Sequence, residues 1–405
     1  MCFVTVPHPL GMISKEEVNA KVDAAFDDIV KAATAWTPSK EKQDAQVKPY
    51  PAKRFKFSGT YADVNDMFQK RKWSLSLPIV PPTVDKVAAM LKGTKRNPAE
   101  VLWVVPPRQG MLTVELVAAL GVMAGAKPEH MPLLIATVEA MADPIAAWRG
   151  PTTTTAATVP VFFISGPIIE KLKLNPGTGT AGGENPVTNA LGYFVNLVGD
   201  VVGGSVPPNF DKSTHGSSAD LVAMVFKENA KENPWKTTYA EEAGFKPSDS
   251  IVTHFSAYLG NANIDHDSKT GQRLLTTLST GLLGSASGLS SCLADYDASY
   301  AINNKVSFAF IVLCPEHAAT IAKEFPDQRA ARDFMRETAA MPYKFYSQET
   351  CVPGKDFGPY DENTFIPRFK KTESIKFFVS AGTGKQSEIW VPLPQVLKPV
   401  SKKIA

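Results

Sequence analysis

Two tripeptides in this chain put an imidazole at the start of a helix. Pro128-Glu129-His130 and Pro315-Glu316-His317 each lead into apolar residues at helical spacing. In the first case these are Met131, Leu134, Ile135 and Val138, and in the second Ala318, Ile321 and Ala322. Proline suits a first helical turn because its missing N–H has no partner there. Glutamate suits the positive end of the helix dipole, and histidine titrates near neutral pH. Together they suggest two related α/β units whose polar ends are turned to a ligand. Against this, Pro-Glu is a common helix opening, and a three-residue match recurs by chance.

Cys314 stands directly before the second tripeptide. A thiol at a helix N-terminus has a lowered pKa, and His317 is spaced to act as its base. The plainer reading is a buried space-filling side chain. Glu228-Asn229-Ala-Lys-Glu232-Asn233-Pro-Trp235 gathers carboxylates and amides suited to acid/base work or to a cation. A solvated helix end closed by Pro234 explains it equally. Arg108, in Pro106-Pro-Arg-Gln-Gly110, follows the apolar run Val101–Val105 and has the fork that grips a carboxylate or phosphate.

Gly177, Gly179 and Gly182 sit in a loop that formally contains GxGxxG. No strand leads directly into it and Pro186 follows closely, so it is not a dinucleotide fingerprint. It is either an anion cradle helped by the next helix or a flexible turn. His8, His215, His254 and His266 are lone. Asp265-His266-Asp267 suits a metal or an ordinary polar loop. No CxxC and no HxxxH occurs, and no metal site is expected.

Alternating elements must position these groups. Ser14 and Glu17 form a capping box for a helix carrying Val18, Val22, Ala25, Ile29 and Val30, after a short strand at residues 2–6. A polar linker is expected over 37–53. Thr83 caps a helix stopped by Gly93, and Val101–Val105 reads as a buried strand. A helix over 113–124 follows. Further strands are expected at 159–164, 224–226, 250–255, 306–313, 375–379 and 389–391, with helices at 187–198 and 271–283. This pattern predicts an α/β fold of two related units with largely parallel sheets. The divisions are an N-terminal piece over 1–57, a first unit over 58–249 and a second over 250–405.

Composition narrows the class. With 405 residues, 44% hydrophobic and 20% charged, the chain is long enough for more than one core. A net charge of +3 without a long basic block argues against a nucleic-acid partner. The uncharged stretches 150–169 and 274–294 are broken by Pro, or by Gly and Ser, so no membrane span is expected. Four widely spaced cysteines and no secretory signal fit a reducing, cytoplasmic setting.

Several short stretches resemble the UGSC-type family. Val4-Thr-Val-Pro-His-Pro-Leu-Gly11 resembles the end of its thioredoxin-like module, named for a cysteine or selenocysteine motif. Val80-Pro-Pro-Thr83, Val87–Leu91, Val105-Pro-Pro-Arg108, Val122–Gly125 with Pro128-Glu129, and Ser165-Gly-Pro167 resemble the larger domain often fused to it. So do Glu228-Asn229 with Asn233-Pro-Trp235, and Leu313-Cys-Pro-Glu-His317. Two departures matter. The UGSC motif itself would lie upstream of Val4, and its redox cysteine is expected either from a missing upstream segment or from a separate thioredoxin-like subunit. Ala126 stands where the family is expected to carry cysteine.

The expectation is therefore an enzyme of the lyase or hydrolase class acting on a small carboxylate-bearing molecule, with a site between the units. Arg108, Gly177, Gly179, Gly182 and Asn229 would bind the substrate. Glu129, His130, Glu228 and His317 would move protons, and Cys314 would be a nucleophile. No dinucleotide is expected, and a homo-oligomer is allowed for. The alternatives are a subunit that works only with a UGSC-bearing partner, and a carboxylate-binding module.

Overall fold

The computed structural model describes residues 4–6, 13–35, 50–207, 214–285, 308–345, 361–393, 396 and 398–405. The chain divides into residues 1–48 and 49–405. In the first unit, α1 (Lys15–Thr34) starts at the expected capping box. Ser14 Oγ accepts from Glu17 N–H, and Glu17 Oε2 accepts from Ser14 N–H. Val4–Val6 carries no regular structure. Cys2, His8 and most of the 37–53 linker lie outside the described residues.

The second unit opens with α2 (Tyr61–Lys70) and α3 (Val84–Leu91). A hairpin of β1 (Val101–Val105) and β2 (Gly110–Thr113) follows, then α4 (Val114–Met123) and α5 (Met131–Ala142). A repeat then begins: β3 (Val159–Ser165), α6 (Ile168–Lys171), α7 (Pro186–Asn196), β4 (Met224–Lys227), α8 (Tyr239–Glu242), β5 (Ile251–Ala257) and β6 (Asn261–Ile264). After α9 (Gly271–Gly284) comes the second repeat: β7 (Ala309–Leu313), α10 (Pro315–Glu324), α11 (Gln328–Thr338), the small pair β8 (Ala340–Pro342) and β9 (Phe365–Pro367), β10 (Ile375–Val379), β11 (Gln386–Trp390) and β12 (Val400–Lys403).

The class is α/β, with two related four-stranded sheets ordered β12-β5-β3-β4 and β10-β7-β11-β6. In each, the first strand pairs in parallel with the strand that follows its helices, and antiparallel with the next strand on its other side. The sheets are therefore mixed rather than largely parallel. In the second sheet no helix separates β10 from β11, and β11 returns with reversed direction. The fourth strands are exchanged. β6 continues β5 but pairs with β11, and β12 follows β11 but pairs with β5. Bonds from Tyr258 N–H to Val391 O and from Leu393 N–H to Ser256 O carry this ribbon across the step between sheets.

Alternation along the strands builds three apolar layers. Phe162, Ile164, Val225 and Val252 face outward to α4, α5 and α7. Val161, Phe163, Phe226 and Phe255 face the second sheet and meet Phe310, Val312 and Phe378. Phe163 stacks 4.5 Å from Phe310, and Phe255 stacks 5.1 Å from it. Ile311, Leu313, Phe377 and Ile389 face outward to α9, α10 and α11. The order is helices, sheet, sheet, helices. The repeats run from β3 to β6 and from β7 to β12, so a division at residue 249 falls inside the first repeat. No helix among the described residues is long and apolar enough to cross a membrane.

Candidate functional site

Arg108 does not end a strand of either large sheet. It lies in the β1–β2 turn, whose hairpin register pairs Val105 with Gly110. Val101 is 43% and Val104 44% exposed, so β1 is a half-open strand rather than the buried one expected. The turn is seated on the segment after α7. Arg108 N–H donates to Gly203 O at 2.8 Å. A Cβ on Gly110 would strike Val202 O, and one on Gly203 would lie 2.6 Å from Pro106 O. Gly204 has φ +75°, and a Cβ there would lie 2.6 Å from Arg108 Nε and 2.9 Å from Cζ. Only glycine lets the guanidinium rest against that backbone.

The guanidinium faces a cavity of about 580 Å³ lined also by Gln69, Lys72, Ser74, Asp200 and Asp220. Among the described residues it makes no ion pair and no side-chain hydrogen bond. Ser74 is 8% exposed and its Oγ is buried without a partner. Lys72 (φ 55°) and Gln109 (φ 65°) both hold left-handed backbone. Such residues cost about 1–3 kcal/mol each and gather at ligand sites. A fork-shaped cation, an unsatisfied hydroxyl and two carboxylates thus converge on one concavity.

A second group of candidates meets where β4 and β10 end. Asn229 N–H donates to Val379 O at 2.9 Å, and its Nδ2 donates to Ala381 O at 3.1 Å. Ser380 Oγ donates to Lys227 O at 2.6 Å. Asn229 therefore ties the repeats together. The glycine loop packs on the same junction, where a Cβ on Gly382 would strike Thr178. The loop is no open anion cradle. Gly177 N–H is taken by Asn175 Oδ1 and Gly182 N–H by Gly179 O, while Asn185 Oδ1 caps α7. Its residue Thr180 instead accepts from Lys227.

Lys227, which its sequence context did not single out, is fully buried. Its Nζ donates to Thr188 Oγ1 at 2.9 Å, to Val225 O at 3.2 Å and to Thr180 O. Three acceptors match its three donors, and burial pulls its pKa down to about 8. Glu228 is 3% exposed. Its Oε1 accepts from Tyr239 N–H at 2.6 Å, and its Oε2 has no hydrogen-bond partner. Burial pushes this carboxyl up to about 7, against the Tyr239 N–H and the nearby Ser165 hydroxyl. The two shifts arise separately, Lys227 being buried against Thr180 and Thr188 and Glu228 against Tyr239.

Cys314 and His317 form a third, closed cluster. Cys314 caps α10, and its N–H donates to Ser387 Oγ at 3.3 Å. His317 Nδ1 lies 2.8 Å from Ser387 Oγ, and its Nε2 lies 3.1 Å from Asp265 O. Burial works to raise the thiol, but His317 outweighs it and leaves Cys314 below its ordinary value. Burial likewise works to lower His317, and the thiol leaves it above. Both are at most 3% exposed. The Asp265 carboxylate is held at about 2. Burial opposes this, but bonds from Thr277, Ser268 and Asp267 prevail. The polar-loop reading of Asp265–Asp267 is the one its bonds support. Among the described residues no cluster of His, Cys, Asp and Glu could hold a metal. Cys292 and Cys351 lie outside them.

The two tripeptides do not share a cleft. Pro128–His130 forms a short turn before α5, after a helix rather than a strand, and lies against Gly93 at the end of α3. His130 Nδ1 accepts from Lys127 N–H at 3.1 Å, and burial lowers its pKa. Glu129 is exposed. Pro315–His317 instead follows β7, and its counterpart in the first repeat is Gly166-Pro167 after β3. Three identical letters therefore hide two unrelated places. Spacing gave no sign of Lys72, Ser74, Asp200 or Asp220 in the Arg108 cavity, because four separate segments supply its lining. No protein-family model matches the chain, and no curated protein matches it.

Proposed function

We propose that this protein binds a small carboxylate-bearing molecule in the Arg108 cavity. The carrying observation is a guanidinium laid on Gly204, without an ion pair among the described residues, in a cavity of about 580 Å³. Two N–H groups of the fork would grip the carboxylate, and Ser74 Oγ would add the hydrogen bond it now lacks. Asp200 and Asp220 are the cavity's own candidates to exchange a proton with the ligand, the chemistry of addition–elimination or hydrolysis. Calorimetric titration with short aliphatic mono- and dicarboxylates tests this. Arg108→Ala should weaken the best ligand at least tenfold, since a charged hydrogen bond is worth about 1.5–3 kcal/mol. Unchanged affinity removes Arg108 from the site.

A second reading, thiol-assisted chemistry, is favoured by the lowered Cys314 thiol against His317. It requires Cys314 to become accessible. Alkylation of Cys314 that a carboxylate ligand accelerates would support it, and a thiol inert with or without ligand would exclude it.

A further inference from the structure

A second cavity, of about 530 Å³, meets the same β1–β2 turn through Pro106 and is lined by Trp103, Met141, Pro144, Trp148 and Arg149. Two of its lining residues are tryptophans. The two indoles lie 5.8 Å apart at 73°. Trp148 is 5% exposed, yet its Nε1 is buried without a hydrogen-bond partner. Buried indole N–H groups ordinarily find an acceptor. Behind Trp148, the ring of His254 lies 5.5 Å away, stacked 4.6 Å from Phe162. His254 Nδ1 is 3.2 Å from Val161 O, and burial keeps the ring uncharged, with a pKa of about 3. The back wall is therefore neutral.

The charges at the rim choose the ligand. Asp143 is occupied by Lys402 Nζ at 2.7 Å and by Ile145 N–H at 3.0 Å. Arg149 is exposed and makes no ion pair or side-chain hydrogen bond among the described residues. The Ala147 backbone, at φ 50°, is held in the left-handed region that L side chains avoid, just before Trp148 and Arg149. A cationic ligand would meet Arg149 with the one carboxylate already neutralised. An aromatic acid would set its ring against the apolar indoles and its acidic group on the Arg149 guanidinium.

We infer that this cavity binds a planar aromatic acid, its ring against Trp103 and Trp148 and its acidic group on Arg149. This site is separate from the aliphatic carboxylate site at Arg108.

The probe is 1-naphthoate, titrated against the full chain by calorimetry and by tryptophan fluorescence, with uncharged 1-naphthamide and with propionate as controls. Binding of 1-naphthoate with quenching is expected, with 1-naphthamide weaker. Arg149→Ala, an exposed change that spares the fold, should weaken 1-naphthoate about tenfold or more. Arg108→Ala should leave its affinity unchanged. No heat and no quenching up to millimolar probe would overturn the inference. So would equal affinity in Arg149→Ala, or a loss in Arg108→Ala, which would move the ring to the other cavity. Because the aliphatic series is read separately, failure here leaves the Arg108 result standing on its own.

Discussion

Glu228 and Ser380 occupy equivalent places in the two repeats. Glu228 N–H donates to Ile164 O at 2.9 Å, and Ser380 N–H donates to Leu313 O at 3.0 Å. Each is the first residue past the second strand of its repeat, bonded to the end of the first. The fold has therefore put a carboxyl at one of two matching strand ends and a hydroxyl at the other. Their side chains diverge in use: Ser380 locks onto Lys227 O, whereas Glu228 stays partly unpaired.

That unpaired carboxyl should show in the pH dependence of stability. With a pKa of about 7 when folded and 4.5 ordinarily, Glu228 holds its proton in the folded state while the unfolded chain has lost it. Stability should fall as pH rises from about 4.5 to 7, by about 3 kcal/mol at 1.36 kcal/mol per unit. Urea unfolding at pH 5 and pH 8 checks this against Glu228→Gln, in which that fall should vanish. Identical pH slopes in the two proteins would refute it.

Lys227 acts in the opposite sense at higher pH. Its pKa is about 8 folded against 10.5 ordinarily, so between these values the unfolded chain binds the extra proton. Stability should rise from about pH 8 to 10.5. Lys227→Met should abolish that rise, and should cost about 1–3 kcal/mol near neutrality by stranding Thr180 O and Val225 O. A variant as stable as the parent at pH 7 would show that these carbonyls are otherwise satisfied.

How much of this was legible in the sequence follows from how local each signal is. The Ser14 capping box and the apolar runs of β3, β7 and β10 are written within a few residues and are where the sequence puts them, whereas Thr83, expected to cap α3, stands at its N-terminus without a side-chain cap bond. The strand exchange is not local. Ser387 pairs with Asn263 across more than a hundred residues, and no periodicity records that. The same holds for function. Arg108 was picked out by its own turn, but Gly204, which makes room for it, is remote in sequence. Glu228, Asn229 and the glycine loop do assemble, though as a junction between repeats rather than around a ligand. His130 and His317 were joined by shared letters, and letters carry no topology.

Ser387 is the hub of the closed thiol cluster, bonding both Cys314 N–H and His317 Nδ1. Ser387→Ala strands a buried donor and a buried ring nitrogen. A loss of about 1–3 kcal/mol in chemical denaturation is expected, with faster alkylation of Cys314 in the native protein. Unchanged stability together with an unreactive thiol would mean that the serine carries no load there.

Gly204→Ala separates the cavity from the fold. The added Cβ would occupy the place of the Arg108 guanidinium and force a side chain into φ +75°. A stability loss of about 1–2 kcal/mol is expected from the backbone alone. Carboxylate affinity should fall at least as far as in Arg108→Ala. Titration of both variants checks this, and parent-like binding by Gly204→Ala would show that the guanidinium's position does not matter.

The most direct measurement is a crystal structure of the protein with its tightest short aliphatic carboxylate. The expected result is both carboxylate oxygens about 3 Å from the Arg108 guanidinium, above Gly204 and beside Ser74 Oγ. Density for the carboxylate at Glu228, at Cys314 or against Trp148, with Arg108 turned to solvent, would contradict the assignment.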